Sequence, residues 1–357
     1  MTKFKRALTG LAVPLLSILL AFLIGAIIMA SMGANPLVAL QYLWRGAFGT
    51  AANLGTTLTK ATPLIFTALC ACFAYRCGVF NLGGEGQFIM GSIAACTIGL
   101  NSGLTGLPGI LLCLIAGAIA GGLWGLIPGI LKVTRGQNEM ILSIMLNYVA
   151  TLFMGVMYTS WMRDAAVPQT PAIPSELKLS RLFPGMRVTT AFVIAIVVGL
   201  LLYYFLFWTS SGFKLRAVGY NMTASRFNGF PVKRYILLSF AVSGAVAGLG
   251  GSAELLGTQF RLINGFGAGY GFDGVAMALI AQLHPLAAMV VAIFFAALRV
   301  GSTTMQAATG VPTSVSDIIQ ALVIVFTVAG MALVKLPQFE ALRLKLMSGK
   351  AKEVQAA

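Results

Sequence analysis

Phe80-Asn81-Leu82-Gly83-Gly84-Glu85-Gly86-Gln87 separates an apolar run ending at Tyr75 from another that starts at Phe88. Three glycines, one carboxylate and two amides in eight residues do not make a lipid-facing helix. Backbone that leaves the helix at membrane depth survives only where protein or a water-filled cavity satisfies its N–H and C=O groups. The stretch therefore points to a chain that crosses a membrane as helices, with at least one of them broken inside the protein. A second stretch repeats the pattern: Gly265-Phe266-Gly267-Ala268-Gly269-Tyr270-Gly271-Phe272-Asp273-Gly274. In both, an acid–glycine pair (Glu85-Gly86, Asp273-Gly274) leads into a short apolar run. Such interruptions at matching places in two halves suggest inverted structural repeats.

Composition agrees. The 357 residues are 58% hydrophobic and only 9% charged, where a soluble domain carries about 25% charged residues. Too few charges remain to build a water-facing surface, so lipid must cover most of it. Apolar runs of about 20 residues, the length that spans a hydrocarbon core, occupy 11–29, 107–131, 141–161, 191–208, 236–256 and 318–334. Shorter or glycine-rich runs lie at 61–75, 84–100, 271–283 and 286–298. The expectation is an all-α polytopic membrane protein of about ten transmembrane helices, some short or interrupted. The first run is too long for a cleaved signal segment and reads as a retained span. Residues 1–335 read as one transmembrane domain and 336–357 as a cytoplasmic basic tail lying on the membrane surface.

Lys and Arg number 24 against 9 Asp and Glu. In a soluble protein this would suggest nucleic acid. Here the cations cluster in short loops without a basic, aromatic-interleaved stripe, so the reading is membrane lipid and topology, with no nucleic-acid partner. With the N-terminus inside, alternation places about 16 cations inside and about 8 outside, which puts both termini in the cytoplasm. That count assigns Arg299 to an outer loop, Glu85 towards the inside and Asp273 towards the outside. The loop from Met162 to Val188, with Pro168, Pro171, Pro174 and Pro184, reads as an ordered, non-helical outer cap. Five cysteines in or beside apolar segments and a single histidine, His284, give neither a disulfide framework nor a metal set. No cofactor is expected. An integral-membrane enzyme would need a clustered acid–base or nucleophile set, and one histidine does not supply it.

Acids and amides within spans are expensive unless they face the interior or a partner. Asn81, Glu85, Gln87, Asn138, Glu139, Asn147 and Asp273 are the candidates for lining a solute path. Five of them have a structural alternative. Glu85 and Asp273 stand where a carboxylate caps a helix start; Asn138 suits an N-cap and Glu139 a first turn; Asn147 can glue two helices.

Gly78-Val79-Phe80-Asn81-Leu82-Gly83-Gly84-Glu85-Gly86-Gln87 resembles the signature of bacterial nucleoside and simple-sugar ABC importer permeases, within the wider group of ribose and branched-chain amino-acid permeases. The runs 136–148 (Gly-Gln-Asn-Glu-Met-Ile-Leu-Ser-Ile-Met-Leu-Asn-Tyr), 215–229 and 269–281 resemble further family segments in the same order. The pairing of Asn138-Glu139 with Asn147-Tyr148 is similar to the longer of the two permeases of nucleoside systems. The resemblance implies a bacterial cytoplasmic (inner) membrane location. It also implies three partners: a second, related permease, a cytoplasmic ATP-binding cassette ATPase and an extracellular or periplasmic solute-binding lipoprotein. The alternatives are a monosaccharide or branched-chain amino-acid permease of the same superfamily, or an ion-coupled secondary transporter.

The chain has no G-x-x-x-x-G-K-[ST] phosphate loop, so an ATP-driven reading needs a separate motor. The motor must grip a cytoplasmic element, and the 209–235 loop is the sizeable one between spans. There Thr223-Ala224-Ser225-Arg226-Phe227 predicts a short helix bounded by Gly219 and Gly229 and capped by Asn221 or Thr223. Phe227 would insert in a cleft of the ATPase and Arg226 would meet its acidic rim. Gly219, Asn221, Thr223, Ala224, Arg226, Phe227 and Gly229 form the expected coupling loop.

Overall fold

The computed structural model describes residues 3–334, so the expected basic tail at 336–357 lies outside the described residues. Among them the secondary structure is helical, with one isolated β-bridge between Arg181 and Thr189. The described residues divide into two compact units, one drawn from 3–43 and 302–334, the other from Trp44–Gly301.

The first unit contains α1 (Lys3–Ser31), most of α2 (Pro36–Phe48) and α13 (Ser314–Val334). Helices α1 and α13 pack closely: a Cβ on Gly25 would lie 2.6 Å from the Ile319 side chain. Helix α2, at 13 residues, is too short to cross a hydrocarbon core.

The second unit is built around α3 (Ala51–Arg76), in which every residue from Ala61 to Tyr75 is buried. Its low hydropathy, which made it look like a weak span, comes from threonines. Thr59, Thr62 and Thr67 donate to the carbonyls of Gly55, Leu58 and Pro63 one turn back, so their hydroxyls are satisfied within the helix. Around α3 lie α4 (Gly84–Asn101), α5 (Gly106–Arg135), α6 (Glu139–Val156), α7 (Thr190–Trp208), α8 (Ser210–Tyr220), α9 (Met222–Phe227), α10 (Val232–Glu254) and α11 (Tyr270–Ile280). Helix α12 (Pro285–Thr309) leads out of this unit.

Helices α4, α5 and α10 touch through backbone. A Cβ on Gly248 would lie 2.2 Å from the Gly117 carbonyl oxygen, and one on Gly121 would lie 2.4 Å from that of Gly244. In lipid, where apolar burial gives no net drive, such small-residue contacts supply the packing.

Among the described residues, eight helices are long and apolar enough to cross a membrane. Of the ten runs read from sequence, the two that follow the glycine breaks fall outside this set. Helix α4 is long enough but begins with Glu85 and Gln87. Helix α11 has 11 residues, about 16 Å of rise against a core of about 30 Å. Arg299 is a correction. The run at 286–298 does not end there; α12 continues to Thr309, so Arg299 sits inside a span. The turn residues that would end it come later, at Gly310-Val311-Pro312.

The 162–188 segment is an ordered cap, as its prolines imply. The Thr170, Ile173 and Leu179 N–H groups donate to the carbonyls of Leu262, Phe260 and Leu256, in the segment that follows α10. The five cysteines are free and buried.

Candidate functional site

The two glycine breaks meet. The Glu85 carboxylate accepts a hydrogen bond from the Gly269 N–H at 3.0 Å. A Cβ on Gly271 would lie 2.4 Å from the Glu85 nitrogen, so only glycine allows this approach. Phe88 packs against Phe266 and Tyr270. Glu85 therefore caps the start of α11, in the other break, rather than its own helix. A carboxylate there complements the positive end of that helix. Glu85 and Asp273, expected towards opposite faces, both lie beside Gly269: Glu85 takes its N–H, and a Cβ there would lie 4.0 Å from Asp273 Oδ2.

The amides hold the first break in shape. Asn81 Nδ2 donates to Gln87 Oε1 (3.0 Å) and Ser243 Oγ (2.9 Å), while its Oδ1 accepts from Gly83 N–H and Gln87 Nε2. Asn81 and Gln87 are each 1% exposed. Asn147, on α6, accepts from Gly86 N–H at 2.8 Å and donates to the Leu82 carbonyl at 2.9 Å. These are the backbone groups that an unwound segment leaves open. Ser143, one turn before Asn147, has a buried hydroxyl without a partner beside Gly83.

The remaining candidates lie apart. Asn138 caps α6, accepting from Met140 and Ile141 N–H. Glu139 is buried and pairs with Lys132, joining the end of α5 to the start of α6. Asp273 pairs with Arg299 of α12 at 2.6 Å, and both side chains keep partial exposure. Sequence reading missed Arg299, and no local signal marked Ser243, whose role depends on tertiary packing.

The segment expected to couple to an ATPase forms two helices, α8 and α9. Asn221 separates α8 from α9 and caps α9, its Oδ1 accepting from Ala224 N–H at 2.9 Å. Thr223 and Ala224 lie exposed in the first turn, Arg226 is exposed, and Gly229 ends the turn with φ +76°. Phe227 is 89% exposed and Tyr220 83%. A groove of about 480 Å³ runs between α8 and α9, lined by residues including Phe213, Tyr220, Asn221, Ala224 and Phe230. Gly219 is pressed onto the end of α3: a Cβ there would lie 2.2 Å from the Arg76 carbonyl oxygen. Four residues beyond Arg76, the chain enters the 80–87 break. Helix α8 thus abuts the chain segment that leads into the first break.

Residues 53–328 match the family described as the permease component of branched-chain amino acid transport systems. The chain belongs to this permease family. It is 34% identical to the guanosine ABC transporter permease protein NupP of Bacillus subtilis (strain 168), over 92% of this chain and 96% of that one. It is 33% identical to the nucleoside ABC transporter permease protein NupB of Lactococcus lactis subsp. cremoris (strain MG1363), over 93% and 94%. A second B. subtilis guanosine permease, NupQ, matches at 27% identity over 67% of this chain and 78% of its own. The chain is thus a multi-pass membrane permease, and its likeness is greater to NupP than to NupQ.

Proposed function

We propose that this chain is the NupP-type permease subunit of an ATP-driven importer for nucleosides or related sugar-containing solutes. The observation that carries the reading is the end-to-end match to a guanosine permease. The occurrence of two guanosine permeases in B. subtilis supports a related second permease as partner. A cytoplasmic ATPase supplies the energy, and an extracellular or periplasmic lipoprotein delivers the solute and sets most of the selectivity. The chain lies in a bacterial inner membrane with both termini inside. Helices α4 and α11 complete about ten membrane segments, and the two breaks relate the halves as inverted repeats.

In this reading Glu85 and Asp273 offer oxygens to the passing solute at the junction of the breaks. Asn81, Gln87 and Asn147 shape the wall by holding the unwound backbone. Asn138 and Glu139 fix the inner end of α6. Solute contacts stay weak, because tight binding would trap the cargo. Phe227 anchors the ATPase, and movement of α8 and α9 reaches the first break through Gly219 and Arg76. No covalent chemistry takes place in this chain.

The test is uptake of labelled guanosine by cells expressing the complete system, with competition by ribonucleosides, ribose, glucose and leucine. The reading predicts competition by nucleosides first. Competition by leucine alone would contradict it.

A further inference from the structure

We infer that a small cavity beside α8 receives a carboxylate side chain of the ATPase, as a second contact point next to Phe227. The inference rests on the reading of α8 and α9 as the ATPase docking element. The cavity holds about 100 Å³ and is lined by Tyr75, Arg76, Arg216, Gly219, Tyr220 and Leu283. That is room for roughly three waters, well below the roughly 300 Å³ that a solute pocket needs. Its size suits the tip of one side chain.

Its charge is set by two guanidinium groups. Arg76 and Arg216 lie 5.4 and 4.9 Å from the centre of the same Phe207 ring. They are therefore about 10 Å apart at most, roughly one Debye length at 0.1 M salt, so their fields add. Arg76 is engaged, donating from Nε to the Leu283 carbonyl (2.8 Å) and from Nη2 to that of Gln282 (3.2 Å). Those bonds hold a turn in which Gln282 and Leu283 both have positive φ. Arg216 is different: its Nε is buried with no partner. A buried donor of a charged group without an acceptor is costly, and an incoming acceptor would relieve it. Among the described residues the ion pairs are those of Lys132 and Arg299, and neither involves this cavity.

The surroundings favour a protein acid. Residues 209–235 carry Lys214, Arg216, Arg226, Lys233 and Arg234 and no Asp or Glu. Arg216 and Tyr220 line both this cavity and the 480 Å³ groove between α8 and α9. Whatever fills the groove therefore meets Arg216, which it shares with the cavity. A planar carboxylate matches the fork of Arg216 and can reach Arg76 as well.

The experiment uses the full chain in nanodiscs and the separately purified cognate ATPase, with affinity measured from low to high salt. Arg216→Gln should weaken binding about tenfold at low salt, the scale of one charge-assisted hydrogen bond, and reduce the slope of affinity against salt. Arg216→Lys should keep the slope. Phe227→Ala should weaken binding and leave the slope unchanged. Unchanged melting and monodispersity of each variant establish that it folds. If Arg216→Gln binds with wild-type affinity and slope, the carboxylate contact is refuted; loss in Phe227→Ala alone would leave the docking reading standing. If neither variant changes binding, the docking reading falls with it. If Arg216→Gln keeps ATPase affinity but loses attraction to phosphatidylglycerol in the nanodisc, the occupant is lipid and the proposal is overturned.

Discussion

Gly219→Ala asks whether α8 and α9 drive the polar centre or merely lie beside it. The added Cβ would sit 2.2 Å from the Arg76 carbonyl oxygen and 2.9 Å from the Cys77 carbonyl carbon. Both are backbone atoms, and neither can rotate away. Ordinary contact needs about 3.4 Å, so α8 must back off by about 1 Å, an overpacking strain of about 1–3 kcal/mol. If that strain falls on one of two transport states, their balance shifts about 5- to 150-fold. Phe227 and the outer face of α9 are untouched, so the ATPase should still bind within about threefold of wild type. Nucleoside uptake per ATP hydrolysed should fall at least about fivefold, at the lower end of that range. Gly155→Ala is the control, because a Cβ there meets nothing nearer than 4.0 Å. The assay is ATP-driven uptake and hydrolysis in proteoliposomes holding the full complex. Wild-type uptake per ATP in Gly219→Ala would refute the route through Arg76.

Other consequences follow from the polar centre. Asn147→Ala removes the acceptor of Gly86 N–H and the donor to Leu82; it should cost about 2 kcal/mol, read as a lowered melting temperature in detergent. Gly271→Ala would force a Cβ to within 2.4 Å of the Glu85 nitrogen and should separate the two breaks, seen as lost uptake with membrane insertion retained. Glu85→Gln keeps an oxygen for Gly269 N–H, so it should fold normally yet alter uptake; loss of folded protein instead would assign Glu85 to capping alone. Burial, and then the Arg76 guanidinium, push the His284 imidazole below its usual range. The fold thus disfavours the protonated form, while the unfolded chain takes up the proton near pH 6.5. Stability should therefore fall as pH drops below about 6.5, and His284→Gln should remove that part of the loss, as measured by melting between pH 7.5 and 5.5.

The breaks, the apolar runs and the short helix ending at Phe227 were legible in the sequence, because each rests on local chemistry: glycine beside an acid, runs of bilayer length, a capping Asn. Three things were not. Helix α3 looked weak, since its threonines satisfy themselves against the backbone and a hydropathy count cannot see that. Arg299 looked like a loop cation, since loop assignment counts charges and not the absence of turn residues. The direction of the Glu85 cap was hidden, because the Gly269 N–H it serves is 184 residues away and only packing brings it near. Asn81, Gln87 and Asn147 were legible as polar groups within spans. That their hydrogen bonds go to backbone and to one another required the fold.

The most direct test of the account is reconstitution. Purified chain alone should show no concentrative guanosine uptake under a proton or sodium gradient, whereas the same chain with its sister permease, ATPase and solute-binding lipoprotein should accumulate guanosine only when ATP is supplied. Gradient-driven accumulation by the chain alone would contradict the claim that it is a passive path worked from outside.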